Sequence, residues 1–255
     1  MQATTSVDAR PVAVVTGATG GLGEQICRAF ANAGFRVAAG YRTSASAAHA
    51  LAEQLEGSGH CALASPVTES AALGRLADEI DARYGRCDVL VNCAGTTRFV
   101  AHDDLEGLDD ALIDDVLATN VRGPFAMVRA LAPLLRRSTL AGGGAVINIS
   151  SIAAQTAMGS NAMYCASKAA LDNLTKSLAR ALAPEIRVVS VSPGLVDTEF
   201  VKSMDLAWRD EQAQRTPLGR LAQPEEIALA VLAAVRDLRF TTGCVLPVDG
   251  GRPLR

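Results

Sequence analysis

Apolar positions along the chain follow two rhythms. Short runs of four to six mostly apolar residues recur at Val12–Val15, Phe35–Gly40, Cys61–Ala64, Asp88–Val91, Ala145–Ile149, Arg187–Val191 and near 244–248. Unbroken runs of this length suit strands buried on both faces of a parallel sheet. Between them lie longer stretches with helical periodicity: from a glycine-rich turn to about Ala33, then 45–56, 69–84, 109–137, 161–182 and 225–236. Strict alternation of strand and helix predicts a doubly wound α/β domain of the Rossmann type, with a parallel sheet of about seven strands and helices on both faces. No repeat or linker divides the chain. Residues 11–255 are expected to form one domain, 1–10 a flexible tail, and 193–222 an irregular connection.

Composition narrows the function classes. The 255 residues include 24 basic and 27 acidic side chains, for a net charge of −3, with only 4% aromatics. Neither a basic footprint nor a stacking surface for nucleic acid is present. No segment approaches the ~18 apolar residues of a membrane helix, and the polar N-terminus has no apolar signal region. The six cysteines form no CxxC pair, and the three histidines are not spaced with them as zinc ligands would be. A metal-free, reduced, cytoplasmic protein is expected.

The first candidate chemistry lies where strand one hands over to a helix, at Thr16-Gly17-Ala18-Thr19-Gly20-Gly21-Leu22-Gly23. Glycines there let a diphosphate approach the main chain, and the helix N-terminus supplies unpaired N–H groups with a partial positive charge. No Gly-Lys-Ser/Thr follows, which excludes a P-loop. A bare glycine-rich turn is the bland alternative. Cofactor choice turns on the end of strand two, which reads Gly40-Tyr41-Arg42-Thr43-Ser44 and holds no acid before Glu53. A carboxylate at that place selects the ribose 2′-hydroxyl of NAD, whereas an arginine accommodates a 2′-phosphate. Arg42, flanked by Tyr41 and Thr43, therefore favours NADPH over NADH; the alternative is a solvated surface arginine.

A second constellation lies further on. Tyr164 and Lys168 stand one turn apart on the 161–182 helix, with Leu171 continuing the stripe. Ser151 follows strand five, at the carboxyl edge where open α/β sheets bind ligands. A tyrosine with an ordinary pKa near 10 is protonated at neutral pH, and a nearby ammonium favours its phenolate. Tyr164 can thus give a proton to a carbonyl as hydride arrives, with Lys168 tuning it and Ser151 polarising the oxygen. Alone, a Tyr and a Lys at this spacing are more often a pair snorkelling over a core.

Together these motifs resemble the single-domain branch of the short-chain dehydrogenase/reductase family. The resemblance runs from about Val12 to Gly251 and adds Asn92-Cys93-Ala94-Gly95, Asn120 and Pro193-Gly194. It implies a catalytic set of Asn120, Ser151, Tyr164 and Lys168, in which Asn120 holds a water that links Lys168 to solvent. Lys168 would also bind the nicotinamide ribose beside Tyr164. The resemblance further implies that Gly17, Thr19, Gly20, Gly21, Leu22 and Gly23 take the cofactor's phosphates. Val67 would touch adenine, with Ser65-Pro66 standing where the family often has an acid. Asn92, Ala94 and Gly95 would support the middle of the cofactor, and Pro193, Gly194, Val196 and Thr198 would flank the nicotinamide.

Within the family, the segment Pro217 to Ile227 and the closing Val248-Asp249-Gly250-Gly251 look closest to 3-oxoacyl-thioester reductases. Pro184-Glu185 replaces the basic residue such enzymes offer an acidic carrier protein. A coenzyme A ester, a free ketone or a polyketide therefore stays open as substrate. Residues 195–216 are expected to form a substrate lid, with Phe200, Met204 and Trp208 as an apolar stripe; plain core is the commoner use of such a stripe. Cys165 reads as packing, and His102-Asp103-Asp104 as a helix cap or solvated polar run. The expected activity is NADPH-dependent reduction of a ketone or acyl thioester. The alternatives are an alcohol or sugar dehydrogenase working oxidatively and a non-catalytic NADP(H) sensor. The resemblance also implies a homotetramer, with neither nucleic acid nor membrane as partner.

Overall fold

A computed structural model describes residues 9–254. Seven strands form one parallel sheet in the order β3-β2-β1-β4-β5-β6-β7. They are β1 Val12–Val15, β2 Arg36–Tyr41, β3 Cys61–Ala64, β4 Val89–Asn92, β5 Gly144–Ile149, β6 Ile186–Pro193 and β7 Val245–Val248. The helices are α1 Gly21–Asn32, α2 Ala45–Gln54, α3 Ser70–Tyr84, α4 Asp110–Leu117, α5 Gly123–Leu135, α6 Ala153–Thr156, α7 Ala162–Leu182, α8 Glu199–Lys202, α9 Leu206–Gln214 and α10 Pro224–Arg236. The doubly wound architecture expected from the alternation is present.

Period-two alternation sorts the strand residues into two cores. Ala13, Val15, Val89, Val91, Ile147 and Val191 face α1 and α10. Val12, Val14, Leu90, Val146 and Val188 face the opposite way, towards α3, α5 and the lower half of α7. Burial of this much branched apolar surface on both sides is the main stabilising term. Among the described residues no helix is long and apolar enough to cross a membrane, and all six cysteines are free.

The structure departs from the sequence reading in four places. The single helix expected over 109–137 is three pieces: α4, a π-helical turn at Ala118–Arg122, and α5. The connection expected to be irregular over 193–222 carries α8 and α9. The Phe200, Met204, Trp208 stripe does not exist as one face, because the chain leaves α8 after Lys202 and Asp205 caps a new helix by accepting from Trp208 N. Trp208 is 38% exposed, and the Phe200 side chain lies outside the description. Of the expected tail, residues 1–8 also lie outside it, while Arg10 is tied down by a hydrogen bond from Nη2 to Ser58 Oγ at 3.3 Å.

Strand order reverses at β1, whose chain continues to β2 on one side while β4 pairs on the other. That reversal opens a crevice at the carboxyl ends of β1 and β4, where open α/β sheets bind ligands.

Candidate active site

The glycine-rich turn is built by contacts that no side chain would allow. Gly17 has φ +65°, and a Cβ there would come within 2.9 Å of Ala94 Cα. A Cβ on Gly23 would collide with the Gly17 carbonyl. Thr16 stitches this turn to the one after β4, its Oγ1 accepting from Cys93 N at 3.1 Å and Ala94 N at 3.0 Å. Gly20 is the N-cap of α1 and offers no capping side chain, so the first-turn amides are left for a ligand.

Above the turn lies a crevice of about 450 Å³. It is lined by Gly17, Thr19, Gly20, Gly21, Leu22, Gly23, Arg42, Thr43, Val67, Ala94, Gly95 and Thr198, all expected from the sequence. Ser44, Ser65, Thr68, Cys93, Thr119 and Glu199 line it as well; sequence reasoning did not assign them to the cofactor. No sequence signal marks Ser65: its buried Oγ has no hydrogen-bond partner among the described residues, and it packs so closely on Gly40 that only glycine fits there. Val67 likewise crowds Gly123, where a Cβ would lie 2.9 Å from its Cγ2 and force it to shift. Seven expected residues stand apart from the crevice lining, among them Tyr164 and Lys168 of the neighbouring cluster. Tyr41 turns towards His49, with ring centroids 6.3 Å apart. Asn92 is buried beneath the crevice, its Nδ2 donating to Asn148 Oδ1. Pro193 ends β6, Gly194 packs on Asp249, and Val196 bridges to Ala222.

The crevice fits a dinucleotide. It joins a helix N-terminus bare of side-chain capping to a glycine cradle and to an exposed arginine. Arg42 makes no hydrogen bond or ion pair among the described residues, and no acid flanks it at the end of β2.

Ser151, Tyr164, Lys168 and Asn120 come together beside this crevice. Ser151 Oγ accepts from Ala153 N at 3.2 Å, and its hydroxyl acts on the Tyr164 phenol, drawing that group's pKa down. Asn161 caps α7 by accepting from Tyr164 N at 2.7 Å, which fixes the first turn that carries the phenol. Lys168 Nζ donates to the Ile149 carbonyl at 2.8 Å and sits 5.7 Å from the Tyr164 ring centroid. Asn120 lies in the π-turn, a distortion often found at functional sites. Its Oδ1 accepts from Thr96 N at 2.9 Å, while Nδ2 donates to Thr96 O and to Ser167 Oγ. A Cβ on Gly95 would lie 3.4 Å from Asn120 Oδ1 and 3.8 Å from Lys168 Nζ, so glycine keeps the ground between those two groups clear.

Electrostatics here differ in one respect from the sequence reading. Burial raises the Tyr164 pKa, and the Ser151 hydrogen bond offsets this in part. The ammonium that was expected to favour the phenolate is not among the causes of this shift; its Nζ donates to the Ile149 carbonyl. Tyr164 is held as a neutral phenol, the form that donates a proton. Burial pushes Lys168 down to about 8, opposed by Cys93 and by the buried Asp172 one turn further along α7. Asp172 was missed because a polar residue at helical spacing reads as solvated. Cys165 is buried packing against Ala153 and Gly159, as expected. Of the run His102-Asp103-Asp104, His102 bonds the Gly159 carbonyl and Asp104 accepts from Gly107 N.

A doubly wound sheet with a phosphate-cradling turn and a Ser/Tyr/Lys cluster at its carboxyl edge defines the class of nicotinamide-dependent oxidoreductases. The comparisons narrow this. A family model described as Enoyl-(Acyl carrier protein) reductase matches residues 17–252. The chain is 37% identical over 246 residues to the granaticin polyketide synthase putative ketoacyl reductase 2 of Streptomyces violaceoruber, covering 96% of both chains. It is also 37% identical to the D-threitol dehydrogenase of Mycolicibacterium smegmatis, covering 96% of this chain and 93% of that one. A solved putative short-chain dehydrogenase/reductase from Burkholderia xenovorans superposes with a TM-score of 0.89 at 33% identity, over 97% of this chain and all of that one. The chain belongs to the short-chain dehydrogenase/reductase family of oxidoreductases.

Proposed function

We propose that the protein is an NADPH-dependent reductase of a ketone, with 3-oxoacyl thioesters in its substrate range. The observation that carries this reading is the gathering of Ser151, Tyr164 and Lys168 at the carboxyl edge of the sheet, with Lys168 Nζ on the Ile149 carbonyl and 5.7 Å from the Tyr164 ring, where burial favours the neutral phenol. NADPH supplies the hydride when bound. Ser151 donates to the carbonyl oxygen and polarises it. Tyr164 gives that oxygen its proton as the carbon is reduced, and Lys168 stabilises the phenolate left behind. Asn120 and Lys168 flank the ground above Gly95, a route by which Tyr164 regains its proton from solvent. Gly17 to Gly23 and the α1 amides hold the diphosphate, and Arg42 pairs with the 2′-phosphate. Residues 195–216, carrying α8 and α9, close over the substrate. Arg209 of α9 is anchored to Asp197 at 2.7 Å, which ties that cover to the nicotinamide side.

A second reading runs the same residues oxidatively on a secondary alcohol; the resemblance to a D-threitol dehydrogenase supports it. The protein assembles as a homotetramer in this proposal. Exposed Ala162, Ala166 and Ala169 on α7, the 42% exposed Phe125 on α5 and the open edge of β7 support that assembly. Six free thiols are in keeping with a reducing cytoplasm.

The test is a matched pair of assays: acetoacetyl-coenzyme A and a bicyclic ketone with NADPH or NADH, and a panel of secondary alcohols and polyols with NADP⁺. Faster turnover of ketones with NADPH supports the reductase. Turnover confined to alcohols transfers the assignment to the second reading. Tight NADPH binding without turnover of any of them leaves the sensor.

A further inference from the structure

Beneath the catalytic cluster, α7 meets the sheet through a line of buried polar side chains. Asn92 Nδ2 donates to Asn148 Oδ1, and Asn148 Nδ2 donates to Thr175 Oγ1, each at 2.8 Å. Thr175 Oγ1 and Ser190 Oγ are also 2.8 Å apart, and Thr175 Oγ1 lies 3.0 Å from the Leu171 carbonyl. One arrangement satisfies all of these: Thr175 gives its single proton to Leu171 and accepts from Asn148 and Ser190. Asn148, Thr175 and Ser190 have no exposed surface. The line therefore joins β4, β5, α7 and β6 through the interior.

Such a line does what apolar packing does poorly. Burial of Leu171 and Leu178 holds α7 on the sheet, but the hydrophobic effect is non-directional and weakly defines position along the helix axis. A buried amide or hydroxyl stripped of its partner costs about 1–3 kcal/mol, so sliding α7 by one residue, about 1.5 Å, is opposed at several atoms together. Asn148 directly precedes Ile149, whose carbonyl receives Lys168, and the same strand leads to Ser151. Thr175 lies on the stripe of Tyr164 and Lys168, two turns beyond the lysine. The same helix and strand are thus bonded at the catalytic end and at the buried end.

We propose that Thr175 and Asn148 are positioning residues, a buried pin that sets the axial register of α7 on β5 so that Lys168 reaches the Ile149 carbonyl and Tyr164 stands at the strand end that leads to Ser151. The proposal rests on the reading of Tyr164 as proton donor. It assigns work to two residues that touch neither substrate nor cofactor.

The test compares Thr175→Val, Thr175→Ser and Leu178→Ala, each made alone and with Tyr164→Phe. The near-ultraviolet phenolate titration of Tyr164, taken as the difference between each protein and its Tyr164→Phe partner, reads the influence of the Ser151 hydroxyl on the phenol without any substrate. Ser151, just beyond β5, and the Cys165 thiol act on that phenol and Lys168 of the same helix lies over its ring, while α6, β6 and the π-turn bring it no charged side chain inside the site. Thr175→Val is expected to raise the Tyr164 midpoint by about half a unit or more and to lower ketone kcat about ten-fold, with the NADPH Kd within about two-fold. Thr175→Ser keeps the hydroxyl and restores the parent values. Leu178→Ala lowers Tm through a cavity and leaves the midpoint in place. An unmoved midpoint in Thr175→Val, or an equal shift in Leu178→Ala, overturns the pin. Ketone turnover that survives Tyr164→Phe overturns the donor reading instead, and the titration still judges the register.

Discussion

The two faces of the sheet are closed in different ways. On the side of α1 and α10, the strands present an unbroken aliphatic surface to Ile26, Phe30, Ile227 and Val231. On the side of α7, the upper part of the sheet presents Asn92, Asn148 and Ser190, and the helix answers with Thr175, Lys168 and Asp172. The first face has only to exclude water, and shape and apolarity suffice. The second carries a helix whose side chains must meet a strand end within tenths of an ångström, and directional bonds appear there. Buried polar groups cost free energy unless they are paired; here they accompany the candidate chemistry.

Substitutions on the two faces should separate stability from activity. The largest effect is expected from Tyr164→Phe, which removes the proposed proton donor and should lower kcat about 100- to 10,000-fold with little change in Tm. Val231→Ala on the α10 face should do the reverse. It should lose about 2 kcal/mol in urea unfolding and keep the parent kcat once folded. A matching loss of kcat in Val231→Ala would erase the distinction between the faces.

Arg42→Ala tests the crevice rather than either face. Loss of a charge-assisted phosphate contact should weaken NADPH binding about 10- to 100-fold and leave NADH unaffected; equal weakening of both would remove Arg42 from the 2′-phosphate. Asp172→Asn should have a smaller effect, read as a pH profile. Lys168 is held at about 8 with Asp172 opposing its descent. The charge on Lys168 is present below that pH and lost above it. Removing Asp172 lets the lysine pKa fall, so the alkaline limb of kcat should move to lower pH. An unmoved limb would show that Asp172 does not act on the lysine. The smallest effect is expected from Glu226→Gln, which takes the charge out of the bidentate pair with Arg220 at 2.7 Å while its amide oxygen still accepts from Gln223 N. Tm should fall slightly and kcat should not change.

What the sequence revealed follows the same division. Strand runs and the glycine turn were legible because their signals are local: β1 enters the turn directly, and the glycines stand where a Cβ collides. Tyr164, Lys168 and Ser151 were legible because helical spacing and a strand end placed them at one edge of the sheet. The π-turn at Ala118–Arg122 was not, since one extra residue inside a long amphipathic stretch hardly disturbs its apolar rhythm. Thr175 and Asp172 were hidden because polar residues on a helix look solvated until their face is known. The spacing of Phe200, Met204 and Trp208 misled for the opposite reason: it presumed one helix across a segment where Asp205 starts another. Ser65 went unassigned because its importance lies in contact with Gly40 on a neighbouring strand.

The measurement that bears most directly on the central claim is turnover of a ketone by the parent and by Tyr164→Phe, with NADPH binding measured on both proteins. The account predicts parent turnover with NADPH well above that with NADH, and loss of turnover in Tyr164→Phe at an unchanged NADPH Kd. Comparable turnover by the two proteins would contradict it, because the proton would then come from a group other than the Tyr164 phenol.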